Sequence, residues 1–156
     1  MQLADRYVTL GQGALVLVTA RGQTLTSAGD LQKPQFKRIA IADRSKAVYG
    51  SAARACLEHL GLAQALGDRL IEVATVPQVT AYVTTGEVDA GFINRTEALA
   101  LKDRVGASLE MPAGCHPPIE LSLAVLKGRG ATPRQQALLD FVATPQARQV
   151  LERHGL

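Results

Sequence analysis

RIAIADRSKAVYGSAARACLEHLG, residues 38–61, decides the fold. It opens on a compact apolar run, Arg38–Ala42, of the length and composition that form a buried strand. A short polar loop leads to Gly50. Gly50–Leu60 then reads as a helix, with Ala53, Leu57 and Leu60 on one face and Gly61 placed as a C-terminal stop. Strand, small loop and helix start recur in LIEVATVPQVTAYVTTG, residues 70–86, and in DAGFINRTEALA, residues 89–100. This alternation predicts an α/β fold. In open α/β sheets, ligands collect where strand carboxyl ends meet helix N-termini. Those N-termini present unpaired N–H groups and a positive dipole end, which suit anions.

Outward from this core, Ala14–Ala20 reads as a buried strand and Ser27–Leu31 as a short helix broken by Pro34. Ala63–Leu66 is a short helix, and Leu70–Ala74 a strand. Pro77–Thr85 is a helix ended by Gly86. Ala90–Ile93 is a strand, Thr96–Ala100 a helix, and Ala107–Met111 and Glu120–Leu126 are strands separated by the loop PAGCHPP. Thr132 caps a helix with Pro133 at its first position, running to Val142, and Pro145 opens a last one ending near His154.

The chain has 156 residues, 47% of them hydrophobic and 20% charged, which is ordinary for one globular domain. The net charge is +3, and Lys33, Lys37, Arg38, Arg44 and Lys46 cluster. With 4% aromatic residues and no Trp there is little to stack bases on, so no nucleic-acid partner is expected. No apolar run is long enough to span a bilayer, and Met1–Gly13 lacks the basic and apolar regions of a signal peptide. Cys56 and Cys115 match no zinc or redox spacing. Free thiols are the expectation, with a disulfide between them as the alternative. His59, His116 and His154 are isolated and read as surface residues. No nucleophile–base pair or metal cluster emerges, and Asp43, Asp89 and Glu120 read as structural. The expectation is a non-enzyme without cofactor or metal.

Several ordered segments resemble the molybdate-binding proteins of ABC importers. Ala47-Val48-Tyr49-Gly50, followed by Ala52-Ala53, Leu57 and Leu60-Gly61, is similar to that family's Ala-Pro-Tyr-Gly turn and the helix behind it. Gly29–Asp43, Thr85–Phe92, His116–Glu120, Ala124–Lys127 and the ending LLDFVATPQARQVLERHGL resemble further family segments in the same order. The resemblance implies a periplasmic-binding-protein-like (type II) architecture. Residues 1–13 would be an inter-lobe crossing segment. Residues 14–127 would be the second α/β lobe, a mixed and mostly parallel sheet flanked by helices. Residues 128–156 would be C-terminal helices that pack on a first lobe lying outside this chain.

It further implies non-catalytic binding of a tetrahedral oxyanion, molybdate or tungstate, in the periplasm, with an importer's membrane permease as partner. Carried over by position, the ligand-binding residues are Tyr49 and Gly50 at the turn, Val76 through its backbone N–H, and Asn94 through its side chain. Each has a plainer alternative. The Tyr49 ring packs over the helix start, Val76 merely precedes a helix-opening Pro, and Asn94 is an N-cap. Two departures stand out: Val48 where the family has Pro, and Asn94 where it commonly has a Tyr hydroxyl. The apolar faces of the last two helices (Leu138, Phe141, Val142, Val150, Leu151) need cover, so a homodimer through them or a swapped arrangement is expected. A ligand-sensing effector domain of a regulatory protein is the rival reading.

Overall fold

A computed structural model describes residues 4–128 and 130–156. Strand β1, Ala4–Gly13, lies in the segment expected to cross between lobes. Then come β2 (Leu15–Thr19), β3 (Ile39–Ala42), helix α1 (Val48–His59), the single turn α2 (Ala63–Leu66) and β4 (Leu70–Val73). The chain continues through α3 (Val76–Thr85), β5 (Ala90–Asn94), α4 (Arg95–Leu101), β6 (Ser108–Glu110) and β7 (Ile119–Leu126), ending in α5 (Pro133–Val142) and α6 (Pro145–Arg153). The short helix expected at Ser27–Leu31 is a 3-10 turn, Ala28–Gln32. Asp30 holds its entry by accepting from the N–H groups of Thr26 and Ser27 at 2.7 and 3.2 Å.

The chain forms two compact units, residues 14–118 and residues 1–13 with 119–156. Ile119–Leu126, read from the sequence as part of the lobe, instead pairs antiparallel with β1, from Gly13↔Ile119 to Ala4↔Leu126. In the first of these units a five-stranded sheet has the order β4-β3-β5-β2-β6. The sheet is mixed, as expected. Its parallel pairings, β3–β4 and β3–β5, are matched in number by the antiparallel β2–β5 and β2–β6, so neither kind predominates.

β2 and β3 are buried throughout. Helices cover both faces of the sheet, which explains why these strands read as continuous apolar runs rather than alternating ones. Val16, Val18, Ala40, Ala42 and Ile93 form one cluster with Val79 and Val83 of α3 and Ala98 and Leu101 of α4. By the period of two, Leu15, Leu17, Ile39, Ile41 and Phe92 face the other side, where α1 buries Ala53, Cys56 and Leu57. Gly91 is required by packing, since a Cβ there would lie 2.5 Å from Val79 Cγ1.

Cys56 and Cys115 are not free thiols. They form a disulfide with 4.5 Å between Cα atoms, joining the buried side of α1 to the loop PAGCHPP. The pairing is tertiary, across 59 residues, and no local spacing rule anticipates it.

The other unit is the β1–β7 ribbon with α5 and α6. α6 packs on β1 and α5 on α6. Leu139 and Ala147 are buried, while Leu138, Phe141 and Val150 stay exposed. Thr132 caps α5 as the sequence reads, accepting from the N–H of Gln135, and the structure adds Thr144 as the cap of α6, accepting from that of Ala147; each stands ahead of a Pro.

Candidate functional site

The parallel strands β4, β3 and β5 lie side by side, so their carboxyl ends share one rim of the sheet. α1, α3 and α4 each begin just beyond that rim. The structure therefore brings Tyr49, Gly50, Val76 and Asn94 to neighbouring junctions of a single sheet.

At the β3–α1 junction, Asp43 organises the loop. Its N–H donates to Val73 O at 2.7 Å, and its carbonyl accepts from the N–H of Ala47 at 2.8 Å. Its carboxylate accepts from the Ser45 N–H at 2.8 Å and the Ser45 hydroxyl at 2.6 Å, and pairs with Lys46 at 3.2 Å. The Ser45 hydroxyl above all, with the Ser45 N–H and Lys46, lowers the Asp43 carboxyl to about 2.

α1 starts two residues earlier than the sequence suggests, so Tyr49 and Gly50 lie inside its first turn. The N-cap is Ala47, which has no side chain to offer the helix. Ser51 is the residue whose N–H reaches back to Ala47 O, at 3.0 Å. The N–H groups ahead of it have no partner within the helix. Gly50 is set by proximity: a Cβ there would run into the carbonyl of Ala42, so only glycine lets the helix start this close to β3. Val48, at the position of the Pro in the resembled turn, is 63% exposed and makes the first helical residue.

The β4–α3 junction begins differently, with a side-chain cap. Thr75 caps α3 by accepting from the Gln78 N–H at 3.3 Å, and Gln78 Oε1 accepts from the Ala74 N–H at 3.0 Å. Pro77 has no N–H. Of the first turn this leaves the N–H of Val76 without a partner in the helix.

At the β5–α4 junction Asn94 is an N-cap. Its Oδ1 accepts from the Glu97 N–H at 2.8 Å. The carbonyl half of the amide is therefore committed, and the NH2 half is the one able to donate to an anion. The N–H of Arg95 goes to Ala14 O at 3.0 Å. The Arg95 side chain, which the sequence reading passed over, pairs through Nη2 with Glu110 Oε1 at 2.9 Å. Burial pushes the Tyr49 hydroxyl up from its ordinary value, and the Arg95 guanidinium nearby partly offsets this.

The acids read as structural are engaged accordingly. Asp89 accepts from the N–H groups of Lys37 and Arg38 at 2.8 and 2.9 Å, and Glu120 accepts from Thr9 at 3.5 Å. Among the described residues no three His, Cys, Asp or Glu are grouped to hold a metal, and no helix is long and apolar enough to cross a membrane. A separate cavity of about 460 Å³, lined by Ser27, Leu60, Leu62, Leu109 and Met111 among others, includes none of the four predicted residues.

A family model described as bacterial extracellular solute-binding protein matches residues 2–156. The chain is 32% identical over 155 residues to the molybdate-binding protein ModA of Azotobacter vinelandii, covering 98% of this chain and 62% of that protein. It is 28% identical over 147 residues to ModA of Rhodobacter capsulatus, covering 94% of this chain and 58% of that protein. It thus spans less than two thirds of the length of either relative. The solved periplasmic molybdate-binding protein of Azotobacter vinelandii has the same fold. The TM-score is 0.83 at 24% identity, covering 98% of this chain and 69% of that one.

Proposed function

Because the chain belongs to the bacterial extracellular solute-binding proteins, we propose that it captures a tetrahedral oxyanion of the molybdate or tungstate type for an ABC importer. The observation that carries this reading is the uncapped start of α1 beside the start of α3, on adjacent parallel strands. Each offers backbone N–H groups from Tyr49, Gly50 and Val76 toward the same rim. Such donors are fixed in direction and sit at positive dipole ends, so they suit an anion without full positive charges. The Asn94 NH2 adds a side-chain donor at the third junction. Selection between anions would follow from hydrogen-bond matching, since each buried donor left unmatched costs roughly 1–3 kcal/mol.

The relatives named above are binding proteins, and this chain is read in the same way, as a binder rather than a catalyst. Its partner would be the importer's membrane permease, and its place the periplasm. The Cys56–Cys115 disulfide supports an oxidising compartment, because such bonds persist outside the reducing cytosol. The chain would supply one wall of the ligand cleft, so its binding alone is expected to be weak.

A titration of the ¹⁵N-labelled chain with sodium molybdate tests this. Amide resonances of Tyr49, Gly50 and Val76 should shift at millimolar anion. Calorimetry should show no sub-micromolar binding. Silence of all three amides at that concentration would sink the oxyanion reading. Sub-micromolar affinity would sink the one-wall reading while keeping the ligand.

A further inference from the structure

We propose that Arg95 gives the bound anion a charged donor, leaving Glu110 to do so, and thereby makes the site prefer doubly charged tetrahedral oxyanions over singly charged ones. The inference rests on the oxyanion reading above and goes beyond it. That reading uses only neutral donors.

Three observations converge on this side chain. The first is place. Arg95 follows Asn94 at the end of β5, and its backbone is pinned to Ala14 at the rim where α1 and α3 begin. Tyr49, in the first turn of α1, lies close enough to feel its charge.

The second is an unmet donor. Arg95 Nε is buried and has no hydrogen-bond partner among the described residues. Buried donors are nearly always paired, so an orphan beside an anion site points to an acceptor that arrives with the ligand. The third is the nature of its existing bond. The Arg95–Glu110 pair has side chains 35% and 54% exposed, and such half-solvated pairs are weak and easily exchanged. The other cations near the rim are paired too, Arg44 with Glu72 at 3.4 Å and Lys46 with Asp43 inside its own loop, but among the described residues only Arg95 has a buried nitrogen left without a partner.

A guanidinium presents its donors as a planar fork, which matches two oxygens of one tetrahedral anion. Its charge then discriminates by ligand charge, which backbone amides do weakly. Molybdate and perrhenate are tetrahedral oxyanions of similar size carrying two and one negative charges, so the pair isolates that term.

The chain is titrated with each anion while the Arg95 Nε–H resonance and the amides of Tyr49, Gly50 and Val76 are followed. Molybdate should shift the Arg95 Nε–H signal along with the amides. Arg95→Gln should weaken molybdate about tenfold and perrhenate by no more than about threefold. Glu110→Gln, which releases the guanidinium, should tighten molybdate. An unmoved Nε–H signal, with Arg95→Gln binding both anions like the parent, would overturn the proposal and leave the oxyanion reading intact. Equal weakening by Arg95→Gln and Lys46→Gln would also overturn it, because that is the mark of a general field. If neither anion moves the Tyr49, Gly50 and Val76 amides of the parent, the oxyanion reading fails and this proposal with it.

Discussion

The two units of this chain solve the same problem, hiding apolar surface, to very different degrees. Residues 14–118 build five strands between helices on both faces, so that Leu17, Val18, Ile39 and Ala40 are fully buried. The β1–β7 ribbon with α5 and α6 has only two strands, and the inward residues of β7 (Ile119, Leu121, Leu123 and Val125) are not fully buried, while their neighbours along the strand are exposed. A two-stranded ribbon is marginal by itself and needs helices or further strands to complete its core. Rigidity is thus concentrated where the candidate ligand donors stand. Donors that must hold fixed directions belong on the better-packed body.

The largest test of this contrast is the disulfide, which lies wholly within residues 14–118. Closing a 59-residue span should contribute about 4 kcal/mol by chain entropy. Cys56→Ala with Cys115→Ala should therefore lower the urea midpoint of that unit. Hydrogen exchange should then quicken at β2, β3 and β5 and stay unchanged at β1 and β7. Equal loss at the ribbon would break the distinction between the units.

Next is Gly50→Ala. The added methyl meets the Ala42 carbonyl, so α1 must back away from β3 at a cost of about 1–3 kcal/mol. A lower melting temperature and a displaced Tyr49 amide resonance are expected. A silent substitution would mean that the helix start is looser than described.

A smaller effect is expected on the ribbon unit. Leu138 and Phe141 are 53% and 59% exposed on successive turns of α5. Light scattering should show a concentration-dependent dimer for the parent and a monomer for Leu138→Ser/Phe141→Ser, with stability changed by less than about 0.5 kcal/mol. A parent that stays monomeric at high concentration removes self-association from the account.

The smallest effect is a pH dependence at the site's own loop. Asp43 is held to about 2 by Ser45 and Lys46, well below the usual carboxylate range. The depressed value means that its bonds support the loop fully above that range and are lost as pH falls through about 2. A carboxyl titration by NMR should place the midpoint there. An ordinary midpoint would show the Ser45 bonds to be absent in solution.

What the sequence made legible was local and strongly patterned. RIAIA and ALVLVTA announce strands covered on both sides, and the Thr-Pro pairs at 132–133 and 144–145 mark helix starts through chemistry confined to one turn. Asn94 as an N-cap was equally readable. β1 was not: ADRYVTLGQG mixes glycine and polar residues because a ribbon strand is only partly covered. The disulfide stood only as the alternative to free thiols, and the Arg95–Glu110 pair was out of reach, for another reason. Each joins residues far apart in sequence, and nothing in either partner's surroundings names the other. Arg95 stood in plain view within NR, but its significance lies in a buried Nε that only the folded chain reveals.

The register of β1 against β7 has one more consequence. Gly13 and Ile119 are direct partners, so the chain enters and leaves residues 14–118 at one place. That unit is in effect a large insertion between two strands of a ribbon, with its ends already side by side. Bodies so connected tolerate excision and transplantation well. Residues 14–118 could be closed by a short linker, circularly permuted, or spliced into a loop of an unrelated host. The rim that carries Tyr49, Val76 and Asn94 would travel with them as a portable part.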